Sequence, residues 1–145
     1  MSTIREQIIE AVVATLNTGT PAGVPQCVRT QMAPTETAQL PALTCFPFRE
    51  EIDPKPTGKW GPIIKRSLYL RFVAYATGQP ADGAIDPILT WLATLGGQQF
   101  GGLALDTYEH ELNWQYDEGN FQVAAVGLDF VIEYETLRGD ATATQ

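Results

Sequence analysis

The feature that most constrains the fold is a run of alternation near the C-terminus, Leu103 to Glu135, reading LALDTYEHELNWQYDEGNFQVAAVGLDFVIEYE. In its first half Tyr108, Leu112, Trp114 and Tyr116 recur on one side and Glu109, Glu111, Asn113 and Gln115 on the other. In its second half Val126, Leu128, Phe130, Ile132 and Tyr134 oppose Asp129, Glu133 and Glu135. A period of two belongs to strands, because successive side chains of an extended backbone point to opposite faces. Between the halves stands DEGN, where Gly119 and Asn120 tolerate positive φ, so the two strands form a long antiparallel hairpin.

The rest of the chain supplies what this hairpin packs against. IIKRSLYLRFVAYAT reads as a further strand, with Leu68, Leu70, Phe72, Ala74 and Ala76 facing one way and Lys65, Ser67, Tyr69, Arg71 and Tyr75 the other. The opening residues Thr3 to Leu16 predict an amphipathic helix. Thr3 and Glu6 have capping-box spacing, and Ile4, Ile8, Val12 and Leu16 form the apolar stripe. Gly19 and Pro21 end it. A second helix is expected in AIDPILTWLATLGG, with Asp86 as N-cap, Pro87 at the first helical position and a buried stripe of Ile85, Ile88, Leu89, Leu92 and Leu95 closed by Gly96. CVRTQM reads as a weak strand, and LTCFPFREEID as an extended segment in which Pro47 marks an edge position or a bulge. GGQQFGG, Gly96 to Gly102, reads as a flexible connection in which Phe100 is a hydrophobic anchor.

The predicted order is therefore α-β-β-β-α-β-β. The fold class is α+β, a mainly antiparallel sheet with two helices packed on one face. With 145 residues one domain is expected, over residues 1–138, followed by a flexible tail at 139–145. The RGD triplet in that tail reads as chance. Asp53 to Pro62, DPKPTGKWGP, is expected to be an exposed loop. Trp60 in it either tucks against the body or anchors a partner.

Charge and composition narrow the functions. Seventeen acidic residues against nine basic ones give a formal net charge of −8, which argues against gripping nucleic acid through its phosphates. Cys27 and Cys45 lack metal-ligand spacing and read as small buried hydrophobes. The N-terminus lacks the uninterrupted apolar core of a signal peptide, and no segment has the length and apolarity to span a bilayer. His110, the one histidine, is flanked by Glu109 and Glu111, but strand neighbours point to opposite faces and make no compact acid–base triad. GxSxG, HExxH and phosphate-loop patterns are missing. The expectation is a non-enzyme without cofactor or metal.

The segments IREQIIEAVVATL, LPALTCFPFREEI, RSLYLRFVAYA, IDPILTWLATL and AAVGLDFVIEYET, in this order, resemble the tail-terminator or minor tail protein family of long-tailed bacteriophages. The most specific parts are LPAL leading into a strand that ends in EE, and the closing LDFVIEYET. The resemblance implies a structural virion protein at the tail–neck region, assembled in the host cytoplasm. It would form a ring, of six subunits in this family, that caps the tail tube, ends its polymerisation and docks the head connector. DNA would be passing cargo in its channel, with no membrane partner.

On that reading Glu109, Glu111, Asp117, Asp129, Glu133 and Glu135 would border the channel and repel phosphates. Arg49, Lys55, Lys59, Lys65, Arg66 and Arg71 would form a basic patch meeting an acidic one across the subunit interface, with Trp60 and Phe100 as apolar contacts. The exposed edges of LTCFPFREEI or LALDTYEHELNW would be paired by the neighbour. The alternatives are a head-completion or tail-to-head joining neck protein and, from another class, a small α+β ligand-binding module.

Overall fold

The computed structural model describes residues 3–32, 40–52, 63–77, 81–117 and 120–137. Helix α1 spans Ile4–Asn17. Strand β1 spans Cys27–Arg29, β2 Ala42–Ile52 and β3 Ile63–Thr77, then helix α2 Ala81–Leu92 precedes β4 Asp106–Asp117 and β5 Asn120–Leu137. The sheet order is β1-β2-β3-β5-β4, with β1 parallel to β2 and every other neighbour antiparallel. This is the α+β fold and element order read from the sequence. The boundary at residue 138 and the tail lie outside the described residues.

One face of the sheet builds the core. Leu68, Leu70, Phe72, Ala74 and Ala76 of β3 stand opposite Ile132, Phe130, Leu128, Val126 and Ala124 of β5, and all are buried. Onto them pack Ile4, Ile8, Ile9, Val12 and Leu16 of α1 and Ile85, Ile88 and Leu92 of α2. Both helices thus cover the same face, as the single apolar stripe on each requires. Among the described residues the opposite face carries no helix.

Local chemistry explains most element ends. Thr3 Oγ1 accepts from the backbone N–H of Glu6 at 3.1 Å, so half of the capping box forms. The other half does not, because the Glu6 carboxylate turns to Arg29 on β1, at 2.7 and 2.8 Å. Helix α2 starts earlier than expected, at Ala81, and runs through Pro87. Ile85 and Ile88, both buried, flank the proline, and their packing outweighs the missing N–H. The segment after α2 is not the flexible connection expected. Its backbone is tied down by Gly97 N–H to Thr107 C=O at 2.8 Å and Ala104 N–H to Gln99 C=O at 3.0 Å, and Gly97 and Gly101 take the positive φ of 79° and 69° that these turns need.

Candidate functional site

The helix-free face of the sheet is where the sequence places its carboxylates, and two β-bulges decide what it presents. On β2 the register slips between Pro47 and Arg49, leaving Phe48 as the extra residue. On β4 it slips between Glu109 and Glu111, leaving His110. Both extra residues turn onto Tyr69 in the middle of β3: Phe48 meets its ring edge-on at 6.0 Å and His110 at 5.3 Å. The Arg49 guanidinium lies over Tyr69 at 5.2 Å, and that of Arg71 over Phe48 at 4.2 Å. A small aromatic and guanidinium cluster thereby covers Tyr69 and Val131 on the face opposite the main core, and both are buried.

The bulge at His110 corrects the expected distribution of acids. Upstream of it Glu109 stands opposite the core residue Phe130, on the helix side, while Tyr108 stands opposite Val131 on the free face. Downstream, Leu112 and Trp114 oppose Leu128 and Val126 on the helix side, and Glu111 opposes Asp129 on the free face. Glu109 is therefore not among the free-face carboxylates, and Tyr108 does not share a face with Leu112 and Trp114. An inserted residue exchanges the two faces from that point onward, which strict alternation cannot anticipate.

Of the remaining acids, Asp129 is 1% exposed and held by both arms of Arg71 at 2.8 and 3.0 Å. Glu133 is 3.3 Å from Lys65 and accepts from the Tyr108 hydroxyl at 3.0 Å. Arg49 pairs with Glu51. Three free-face cations thus compensate three carboxylates, and Asp106, Glu111 and Glu135 make no ion pair among the described residues. These three give the face its residual negative charge. The backbone of Asp117 continues β4, and its side chain lies outside the described part.

Four of the six residues expected in the basic patch make ion pairs within the subunit. Lys65 and Arg71 serve the free-face carboxylates, and Arg49 serves Glu51. Arg66 lies on the other side, 3.7 Å from Glu50 and donating to Thr136 Oγ1 at 3.1 Å. Phe100 packs against the main core. Lys55, Lys59 and Trp60 fall outside the described residues.

Sequence reading missed the Glu50 hub altogether. Its carboxylate, on the helix side, receives Arg5 of α1 at 2.7 Å, the Tyr134 hydroxyl and Arg66, so it locks α1 to three strands at one end of the sheet. Burial and then the Glu50 hydrogen bond hold the Tyr134 phenol above the usual tyrosine range. The signal was the phase of β2 after Pro47, which the bulge at Phe48 resets.

The described surface carries recesses on both sides of the sheet. One, about 400 Å³, crosses the free face between Phe46, Val73, Tyr75, Asn113 and Gln115, with Gly127 as its floor. Two more flank Trp91 on the outer side of α2; the apolar one, about 510 Å³, is lined by Pro21, Val24, Pro87 and Trp91. Among the described residues no group of three or more His, Cys, Asp and Glu side chains is arranged to hold a metal ion. No helix there is long and apolar enough to cross a membrane. The Cys45 thiol is pushed up by its hydrogen bond with Cys27 and by burial, so it stays protonated.

The two edges of the sheet differ. At β1 the Asn17 side-chain amide mimics a neighbouring strand, accepting from Cys27 N–H at 2.7 Å and donating to Cys27 C=O at 3.0 Å. At the other end β4 has twelve residues and a strand on one side only.

The described residues define a two-layer α+β domain in which they leave one face of a five-stranded sheet and one long edge uncovered. No protein-family model matches the chain, and no curated protein matches its sequence. Its fold is shared with a chain in the structure of the virion of a native gene transfer agent (GTA) particle: TM-score 0.53, 10% sequence identity, 92% of each chain covered. At that identity the likeness is one of fold.

Proposed function

We propose that this chain is a structural virion protein of the tail–neck region, which closes into a ring on the end of the tail tube, stops its growth and joins it to the head connector. The observation that carries the reading is the fold shared over 92% of both chains with a component of a virion. The sequence resemblance to the tail-terminator family adds the level in the particle. A ring of six is the family's number, and DNA passes through it as cargo.

On this reading the free face borders the channel. Asp106, Glu111 and Glu135 supply the charge that keeps phosphates from sticking, while Asp129 and Glu133 are neutralised by Arg71 and Lys65. The protein acts by shape and charge, without catalysis.

The test is co-assembly with the cognate tail tube protein, followed by electron microscopy. Tubes of defined length ending in a ring of this chain support the terminator. Tubes of unlimited length, with the chain bound only to the portal or its adaptor, support a neck-joining protein instead. The apolar recess beside Trp91 favours a second reading, a ligand-binding module. That reading expects a monomer or dimer whose melting temperature rises in a small-molecule thermal-shift screen.

A further inference from the structure

Eight large hydrophobic side chains are exposed among the described residues, and six lie at the two opposite edges of the sheet. Val28 and Met32 are 55% and 76% exposed at the β1 edge; Leu105, Tyr108, Leu112 and Trp114 are 39% to 44% exposed along β4. On the helix side each edge also exposes one charged side chain, of opposite sign, although the cation is already bridged to a carboxylate of its own subunit. There β1 presents Arg29, 39% exposed beside Glu6, and β4 presents Glu109. Asn17 restricts the contact further, because it occupies the backbone of Cys27 and leaves β1 to contribute side chains more than a ladder.

We propose that the β4 edge of one subunit receives the β1 edge of a second copy of this chain, head to tail. The two sheets then stand edge to edge, joined chiefly through side chains, with Arg29 facing Glu109 beside Leu112 and Val28 facing the Tyr108 side. Two different patches on one chain make the contact heterologous, and such contacts propagate until rotation closes them. A β4–β4 pairing would instead bring Glu109 and Glu111 against their own copies, where like charges oppose association. The proposal rests on the ring reading and assigns its subunit contact.

The test uses native mass spectrometry of the full chain from micromolar to millimolar concentration. Val28→Glu blocks the β1 edge by adding a carboxylate against an acidic strand, and Leu112→Lys blocks β4 by adding a cation against Arg29. Both sites are exposed, and unchanged circular dichroism and melting temperature serve as the folding control. Met32→Glu is the second β1 variant. The expected result is that wild type forms closed oligomers and each variant alone is monomeric. An equimolar mixture of Val28→Glu and Leu112→Lys then forms a dimer and nothing larger, because one intact edge of each kind remains. Rings that survive either variant overturn the edge contact while leaving the ring itself standing. A Val28→Glu protein that still dimerises points to β4–β4 pairing and overturns it too, as does a wild type that stays monomeric throughout.

Discussion

Asp129 holds its charge almost wholly out of water, and the two Arg71 contacts are what make that tolerable. Asp129→Asn keeps the shape but gives up a charge-assisted pair, so a loss of about 1–3 kcal/mol is expected in urea unfolding. Glu111→Gln and Glu135→Gln change an exposed and a half-buried group, both outside any ion pair among the described residues, and their unfolding curves should stay within about 0.5 kcal/mol of wild type. Equal losses for all three would mean that the free face is one cooperative network. Tyr134 makes a second residue-scale prediction. Its phenol ionises above the ordinary tyrosine value in the folded state, chiefly through burial. As pH rises past about 10 the unfolded chain releases this proton first, so there the folded state binds more protons and stability falls with pH. Tyr134→Phe should flatten that alkaline decline, leaving the smaller parts due to Tyr75 and Tyr108, whose phenols burial also raises. None of these partnerships was legible in the sequence, since Asp129 and Glu111 look alike as letters and differ only in what stands across the strand.

At the scale of elements the sequence was more forthcoming, because periodicity survives where packing is one-sided. Every β3 position assigned to the core is buried there, and the hairpin stands in the predicted phase along β5. The faces of β4 were half legible: a bulge has no composition of its own, and EHE gives no warning that His110 is the residue left over. Pro47 did give a warning on β2, and the bulge stands beside it, although β2 is an interior strand and not an edge. Gly127 is an element-scale puzzle with a measurable answer. It lies mid-strand in β5 with φ outside the left-handed region, and an added Cβ would touch only the Arg71 Cδ at 3.9 Å. Gly127→Ala is therefore expected to stabilise the fold by about 0.5–1 kcal/mol in thermal unfolding. A stabilised variant that assembles poorly would show that the open floor serves a contact.

For the whole molecule, the separation of acids between faces gives a positional prediction. If the free face borders the channel, Glu111→Lys with Glu135→Lys should slow DNA release from assembled particles, whereas Asp86→Lys should not, because it is an exposed acid of α2 on the helix-covered side. Equal effects from both sets, measured by ejection of labelled DNA, would place the channel elsewhere. The global fold was readable because its core depends on long patterns; the uncovered surfaces were not, because they depend on two inserted residues and one amide. That amide, Asn17, has a meaning for the cell that makes the protein. If the chain is a ring subunit it must be stored before a tube exists, and a chain with two sticky margins would gel in storage. With one margin already occupied by its own side chain, the stored pool keeps its solubility, and Asn17→Ala should be recognised first by inclusion bodies.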